Sequence, residues 1–231
     1  MATHIVNKLQ RDSDKALNDL PSAVADSVEQ TALTTTYPTG AVLFAEGQAQ
    51  RGVFIVRRGR VKLSVCGSDG RTLILRMVEP GGILGVASAI SGRVYEATAE
   101  TQEPSEVSFL RQPDLLRLMR LHGEIALWVT QHLSQDYTTT CREIRDLMLS
   151  DSASEKLARL LMGWLDSTAE SKQSGHVKMA LTHEEIGQMI GTSRETVSRL
   201  FAGFKKQRLI QQNGATLVIP NRLALESLIT A

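Results

Sequence analysis

The chain has 231 residues, of which 42% are hydrophobic and 22% are charged, and its formal net charge is +1. This length allows two modest domains with proper hydrophobic cores, and this composition excludes wholesale disorder and a membrane class. The sequence contains neither an apolar run of about 18 residues nor the apolar segment of a signal peptide. We therefore expect a cytoplasmic protein with no membrane partner.

Cys66 and Cys141 are the only cysteines in the sequence. Two cysteines this far apart exclude a disulfide framework, a Cys-x-x-Cys redox pair and a four-cysteine metal site. We predict no metal site, and we expect Cys66 to pack in or beside a strand.

Residues 1–30 contain scattered apolar residues, which predict a short helical segment. Between residues 31 and 122 the pattern changes to short β-like runs separated by glycines, which indicates an antiparallel sheet domain. The spacing of the glycines favours a jelly-roll β-barrel with tight corners. We expect strands at Val42–Phe44, Val53–Val56, Val61–Cys66 and Leu73–Val78.

The third of these runs alternates apolar and polar residues. Val61, Leu63 and Val65 alternate with Lys62 and Ser64. Because successive side chains of a strand point to opposite faces, this alternation predicts one buried face and one solvated face.

Residues 123–150 contain a long predicted helix. No proline or glycine interrupts the segment Glu124–Leu149, and apolar side chains recur along it at steps of three or four. Such a narrow stripe is typical of a helix that pairs with another helix. The middle of the stripe is polar, which suits either a sensing region or residues that set register and oligomeric state. We predict a dimer interface formed by Ile125, Val129, Leu133, Thr140, Ile144 and Leu147.

Residues 151–231 are the last predicted domain. The segment Ser150–Ser154 breaks the helical periodicity, so we expect a hinge there. An amphipathic helix is predicted at Glu155–Leu165, and residues 168–177 are predicted to be a polar loop.

Two capping boxes follow this loop, Thr182 with Glu185 and Thr192 with Glu195. A capping box marks the start of a helix, and a glycine such as Gly191 commonly ends one. The spacing therefore predicts two short helices joined by the tight turn of a helix-turn-helix.

The second of these helices has an apolar and a polar face at about 100° per residue. The polar face carries two types of residue that recognise bases, since Arg bridges the two acceptors of guanine and Glu accepts from the cytosine amino group. Five basic residues and one acidic residue lie between Thr192 and Ile210. Positive charge is thus concentrated locally, as a DNA footprint requires.

A simpler interpretation is that this polar face is only solvated and that Glu195 is only a cap. The sequence that follows argues against it. Leu209-Ile210, Asn213-Gly214 and Leu217–Ile219 predict a β-hairpin closed by a type I′ turn, which is a wing.

The run Thr-Ser-Arg-Glu-Thr-Val-Ser-Arg at residues 192–199 resembles the winged helix-turn-helix of the cyclic-AMP receptor protein and FNR superfamily of bacterial transcription regulators. The resemblance implies an α+β fold, with an N-terminal jelly-roll β-barrel like a cyclic-nucleotide-binding domain, a long dimerisation helix and a C-terminal winged helix-turn-helix. It also implies a homodimer on inverted-repeat double-stranded DNA with half-sites resembling TGTGA. Base contacts are implied for Arg194, Glu195 and Arg199, and in some branches for Ser198. The predicted DNA-binding set is Thr182, Thr192, Ser193, Arg194, Glu195, Ser198, Arg199 and Lys205.

The same resemblance places an effector site in the β-barrel, at a Gly-Glu pair and an Arg-Ser pair. Here Gly85 is followed by Val86, and Tyr95-Glu96 occupy the place of the Arg-Ser pair. Because a Glu repels the phosphate that an Arg clamps, cyclic AMP is not the expected effector. Arg93 lies two residues away, so a cyclic nucleotide stays open if the loop register differs. The candidate effector contacts are Val86, Arg93, Tyr95, Glu96 and Thr140.

Some members of the resembled family hold one of two cofactors, an iron–sulfur cluster or haem. Residues 1–30 contain no cysteine, which argues against an oxygen-sensing iron–sulfur cluster. His122 and His132 leave haem open, although no supporting motif accompanies them.

No catalytic residues are predicted. His183-Glu184-Glu185-Ile186-Gly187 begins like a zinc-protease helix, but Gly187 stands where the second histidine is required. No nucleophile elbow, phosphate-binding glycine loop or dinucleotide fingerprint is present.

We therefore expect a transcription regulator whose β-barrel senses an unidentified small molecule. The resemblance favours a transcription activator, and an activator needs a surface that contacts RNA polymerase. Three alternatives remain: a signalling module that acts on a protein partner, a constitutive DNA binder without an effector, and an architectural DNA binder without sequence preference.

Overall fold

The computed structural model describes residues 17, 20–150, 152–166, 174–179, 181–214 and 216–229. The chain divides into two compact units. One unit contains the described residues up to Cys66 together with Ile74–Thr139, and the other contains Gly67–Leu73 together with the described residues from Thr140 onwards. The proposed boundaries at residues 30, 122 and 150 stay predictions.

Eight strands among the described residues build two four-stranded antiparallel sheets. The strand order is β1-β8-β3-β6 in one sheet and β2-β7-β4-β5 in the other. This arrangement is that of the predicted jelly-roll, and we call it the β-roll. The strands are β1 (Leu33–Tyr37), β2 (Val42–Phe44), β3 (Gly52–Arg58), β4 (Val61–Cys66), β5 (Thr72–Val78), β6 (Ile83–Leu84), β7 (Thr98–Thr101) and β8 (Ser105–Arg111).

All four predicted strands are present, but the prediction of one buried and one solvated face for β4 is wrong. Ser64 is only 7% exposed, whereas Leu63 and Val65 are partly exposed. Lys62 is not solvated either, because its ammonium lies 3.4 Å from the Glu100 carboxylate on the neighbouring strand β7. Cys66 lies in a strand as expected, since it is the last residue of β4, and its side chain is exposed.

Among the described residues, four helices accompany the β-roll: α1 (Ser22–Thr31), α2 (Val86–Ser91), α3 (Gln112–Leu121) and α4 (Gly123–Leu149). The short helix predicted within residues 1–30 corresponds to α1, while residues 1–16 lie outside the described part of the chain. Side chains from all four helices pack with β3, β6 and β8 into one hydrophobic core. A second core fills the space within the β-roll and is rich in aromatic rings.

Helix α4 has the predicted length, but the predicted dimer stripe needs correction. Ile125 and Val129 are 0% and 1% exposed and lie in the core of the β-roll unit, and Leu133 packs against the same core. The side chains of these three residues therefore pack within their own chain and are not available to a dimer interface. Thr140 and Ile144 are exposed, and the side chain of Leu147 lies outside the described residues.

The second unit contains a helical core and a small sheet. Its helices within the described residues are α5 (Ala153–Asp166), α6 (His183–Ile190), α7 (Arg194–Lys206) and α8 (Arg222–Glu226). Its strands are β9 (His176–Lys178), β10 (Gln211–Asn213) and β11 (Thr216–Val218), in the order β10-β11-β9. The polar loop predicted at residues 168–177 is thus wrong at its end, because His176 and Val177 pair with β11; residues 168–173 lie outside the described chain.

The predicted wing is present as the β10–β11 hairpin. Asn213 pairs with Thr216, so the turn lies one residue later than the predicted Asn213-Gly214. Gly214 has a φ of 60°, the left-handed conformation that glycine adopts without strain.

Candidate nucleic-acid interface

The first helix of the helix-turn-helix, α6, begins at a complete capping box. The Thr182 hydroxyl accepts from the Glu185 N–H at 3.2 Å, and the Glu185 carboxylate accepts from the Thr182 N–H at 2.8 Å. Gly191 ends the helix at a φ of 68°. The sequence prediction of this helix start and stop is confirmed.

The second helix, α7, begins one residue later than the predicted capping box. Thr192 donates its N–H to the Gly187 carbonyl at 2.9 Å, which draws it into the turn. Ser193 is the N-cap instead, and its hydroxyl accepts from the Thr196 N–H at 3.2 Å. The turn between the helices therefore comprises the three residues from Gly191 to Ser193.

Helix α7, the recognition helix, has the two faces that its sequence predicts. Val197, Phe201 and Phe204 are at most 3% exposed and lie in the core of the second unit. The opposite face is exposed and carries the predicted base-contacting residues Arg194, Glu195, Ser198 and Arg199.

The ionisation of Glu195 and the orientation of Arg199 on the exposed face both suit base recognition. The pKa of Glu195 is lowered first by a hydrogen bond from the backbone N–H of Glu195 itself and next by one from the Ser193 hydroxyl. Glu195 is therefore an ionised acceptor at neutral pH. The Arg199 guanidinium donates to the Thr196 hydroxyl at 3.2 Å, which orients it along the helix.

Lys205 links the recognition helix to the wing. Its ammonium donates to the Gln212 side-chain oxygen on β10 at 2.7 Å, and Gln212 donates to the Gly214 carbonyl at 3.2 Å. The end of α7 and the hairpin thus present their polar groups together. Gln212 was missed by the sequence analysis, because pairing across a wing depends on hairpin geometry that composition does not encode.

His183 was also missed as a member of this surface. Its Nδ1 lies 2.9 Å from the Ser198 hydroxyl, and its ring stacks on Phe201 with centroids 4.7 Å apart. The predicted helix-turn-helix implies that α6 and α7 cross, but the residues that meet at the crossing depend on an angle that the sequence does not give.

Two of the predicted effector contacts on the β-roll are buried in the structure. Val86 is 4% exposed and belongs to the hydrophobic core, and Tyr95 is 2% exposed. The Tyr95 hydroxyl donates to the Gly52 carbonyl at 2.8 Å, and its ring stacks on Phe44 at 4.0 Å. These two placements correct the prediction, because neither side chain is available to a ligand in this structure. Arg93, Glu96 and Thr140 are exposed.

The packing of the Tyr95 ring also explains why residue 85 is a glycine. A Cβ at Gly85 would lie 2.7 Å from the Tyr95 ring, and Gly85 has a φ of 77°. The glycine is therefore required by packing against the ring. Glu96 accepts a hydrogen bond from the buried Ser88 hydroxyl, so its carboxylate is held beside the N-terminal part of α2.

His132 and His122, the two histidines that leave haem open, each have a local structural role. Nδ1 of His132 lies 2.9 Å from the Trp128 carbonyl, and its ring contacts the Trp128 ring at 4.8 Å. His122 caps the end of α3. In the part of the chain that the structure describes, no three His, Cys, Asp or Glu residues are grouped for a metal ion, and no helix is long and apolar enough to cross a bilayer.

Two sequence profiles match the chain, one over the β-roll and one over the region of the helix-turn-helix. The profile of the cyclic nucleotide-binding domain matches residues 34–122, and that of the Crp-like helix-turn-helix domain matches residues 155–228. The chain belongs to the CRP/FNR superfamily. It is accordingly a DNA-binding transcription regulator with a cyclic-nucleotide-binding-like sensor domain, and the predicted fold class is confirmed.

Similarity to individual CRP/FNR proteins is distant but extends over most of the chain. The cAMP-activated global transcriptional regulator CRP of Haemophilus influenzae is 27% identical over 184 residues, covering 79% of this chain and 82% of that protein. A CooA mutant from Carboxydothermus hydrogenoformans has a TM-score of 0.76 at 22% identity, covering 92% of this chain and 93% of that one. The c-di-GMP responsive regulator CLP from Xanthomonas campestris has a TM-score of 0.75 at 20% identity, covering 87% and 100%.

Proposed function

We propose that the protein binds an inverted-repeat operator as a homodimer and regulates transcription from it in the cytoplasm. The exposed face of α7 supports this proposal, because it groups Arg194, Glu195, Ser198 and Arg199 opposite a fully packed core face. Phosphate contacts are assigned to Thr182, Thr192, Ser193 and Lys205, which lie at the ends of α6 and α7.

The dimer is assigned to a stripe on α4 that differs from the predicted one. Leu127, Tyr137 and Ile144 are 60%, 73% and 55% exposed, although large apolar side chains are usually covered. They belong to a series with alternating steps of three and four residues, which is the spacing of a paired helix. We call this series the exposed stripe; its members are Leu127, Thr130, Ser134, Tyr137, Cys141 and Ile144.

Two-fold pairing along the exposed stripe explains how one chain recognises an inverted repeat. A dimer presents two copies of α7, and consecutive half-sites lie about one duplex turn, or 34 Å, apart. The operator symmetry then follows from the protein symmetry.

The effector differs in its binding chemistry from the cyclic AMP implied by the name of the Haemophilus relative. The positions expected to clamp a phosphate hold Tyr95, which is buried, and Glu96, which is anionic. The Xanthomonas regulator CLP, which has a similar fold, is named as responsive to c-di-GMP. We propose a small-molecule effector that needs no Arg clamp at this place and shifts the population towards a DNA-competent arrangement. Activation through contacts with RNA polymerase is part of this proposal, and an enzymatic step is not.

A constitutive DNA binder is the second candidate, and the packing within the β-roll favours it. Phe44 stacks on Tyr95, contacts Phe54 at 5.5 Å, and Phe54 contacts Phe109 at 4.8 Å. A β-roll filled by its own rings needs no ligand to be stable.

Selection of bound sequences from a random duplex library, first without added effector and then with a small-molecule cell extract, tests both candidates. Enrichment of an inverted repeat is expected. If the effector is required, enrichment appears only after addition of a small-molecule cell extract; if the protein is constitutive, the extract changes nothing. Salt-sensitive binding with no enriched site under either condition would contradict sequence-specific recognition.

Arg199→Ala tests the proposed base contacts on the selected site. We expect it to cost about 1–3 kcal/mol on that site and to relax the preference at one base pair per half-site. Lys205→Ala is the matched control on the same helix, because loss of a phosphate contact weakens binding to all sequences alike. Equal DNA affinity of both variants and the wild type would instead favour a module that docks on a protein partner.

A further inference from the structure

His183 belongs to the recognition surface, although neither the sequence pattern nor the proposed base contacts assign it a role. It is the first residue of α6, whereas the residue that it contacts, Ser198, lies in the second turn of α7. Its ring stacks on Phe201, which is 1% exposed. The imidazole is therefore fixed in place by a core residue, and its Nδ1 is directed at an exposed hydroxyl.

A serine hydroxyl has one proton and can act towards DNA as either a donor or an acceptor. A hydroxyl that already donates its proton to a neighbour offers only lone pairs to a base. Guanine and thymine present acceptors in the major groove, whereas cytosine N4 and adenine N6 present donors. The partner of Ser198 therefore decides which bases Ser198 is able to recognise.

We propose that His183 is a positioning residue that accepts the Ser198 proton at Nδ1, so that Ser198 presents only acceptor lone pairs and selects a cytosine or adenine amino group. This inference rests on the proposed sequence-specific binding and names a specificity determinant within it. The imidazole does not act as a catalytic group or contact the selected base.

The environment of His183 favours the neutral ring that this arrangement needs. Partial burial, then Lys205 and then Arg194, lower the pKa of His183 below its ordinary value near 6.5. Both cations lie on α7, and Glu184 is the neighbouring charge on α6. At neutral pH the ring is therefore uncharged, and one of its nitrogens is an acceptor.

The position of Nε2 indicates which nitrogen carries the proton. Among the described residues, Nδ1 is bonded to Ser198 and no partner is present for Nε2. His183 is only partly buried and lies at the surface that faces DNA phosphates in the proposed complex. Because phosphate oxygens only accept, a proton on Nε2 is the arrangement that satisfies both nitrogens.

Sequence selection with three single variants and one double variant tests the inference. His183→Phe keeps the ring stack on Phe201 and removes the acceptor, while Ser198→Ala removes the hydroxyl. We expect each to lose about three- to tenfold of preference at the same base pair of each half-site. The double variant should lose no more than either single variant, because the two side chains act as one unit. His183→Asn, whose side-chain oxygen takes the place of Nδ1, should restore the preference.

Two further measurements separate positioning from a merely structural role. Lowering the pH until it falls below the lowered pKa of His183 protonates the ring and makes Nδ1 a donor, so the preference at that base pair should fall in the wild type but not in His183→Asn. Nitrogen NMR of the labelled imidazole at neutral pH should place the proton on Nε2. A proton on Nδ1 would overturn the inference.

The selection profiles also give clear contrary outcomes. If His183→Phe and Ser198→Ala change different base pairs, or if His183→Phe weakens all sequences equally with an unchanged profile, the inference is wrong. A wild-type protein that enriches no site would contradict the proposed function itself, before any variant is compared. Thermal unfolding of each variant shows whether a lost profile reflects a lost fold.

Discussion

The N-cap of the recognition helix is a single hydroxyl, that of Ser193. It satisfies the Thr196 N–H at 3.2 Å, one of the N–H groups that a helix start leaves without a partner within the helix. Thr192, one residue earlier, donates its N–H to the Gly187 carbonyl in the turn. The two neighbouring hydroxyl residues therefore differ in what they contribute to stability.

Ser193→Ala is expected to destabilise the second unit by about 1 kcal/mol, within the range of about 0.5–2 kcal/mol known for lost N-caps. Thr192→Ala is the matched control and should change the free energy of unfolding by less than about 0.5 kcal/mol. Urea unfolding without DNA measures both. A larger cost for Thr192→Ala would show that the capping box predicted with Glu195 is the real helix start.

The pattern Thr-x-x-Glu occurs twice in the helix-turn-helix, and the sequence correctly predicts a cap only for Thr182. At residue 192 the turn hydrogen bond to Gly187 takes precedence over the box, and such a tertiary contact is invisible to a local motif. The same limit applies to Tyr95. Its position was predicted by matching to a phosphate site, while its burial depends on the fit of its ring against Phe44 and Gly85.

Helix α4 shows how far periodicity alone determines the faces of an element. Its sequence contains two interleaved series at steps of three and four, one through Ile125 and Val129 and the other through Leu127 and Tyr137. The length and ends of the helix could be predicted from its composition. Which series covers the chain's own core depends on the packing of β3 and β8, and the sequence-based choice was wrong for Ile125, Val129 and Leu133.

Ile144→Glu tests the exposed stripe as the dimer seam. A two-fold interface loses the side chain twice, and burying an aliphatic residue is worth about 1.5–3 kcal/mol. The dimer dissociation constant should therefore rise by about two to four orders of magnitude. Analytical ultracentrifugation over a concentration series measures it.

Gln135→Glu provides the control for this variant. Gln135 is exposed on the same helix but outside the stripe, so it adds the same charge without removing an interface residue. Its dissociation constant should match that of the wild type. An equal effect of both variants would show that charge on α4, and not the stripe, governs association.

At the scale of the whole molecule, a net charge of +1 conceals an uneven distribution. The five basic residues between Thr192 and Ile210 face a single acidic residue in that segment. Binding that neutralises phosphates releases counterions, so its salt dependence counts the contacts and not the total charge. The salt dependence therefore also reports how many recognition helices engage the operator.

Lys205→Ala should reduce the slope of the logarithm of affinity against the logarithm of salt concentration by about 1.8. Each lost phosphate contact removes about 0.9 from this slope, and a two-fold dimer on an inverted repeat loses two such contacts. Titrations of the selected operator at several salt concentrations measure it. Lys62→Ala removes one charge per chain from β4, where Lys62 pairs with Glu100, and should leave the slope unchanged. A reduction near 0.9 for Lys205→Ala would mean that one recognition helix is engaged at a time, which would contradict symmetric binding.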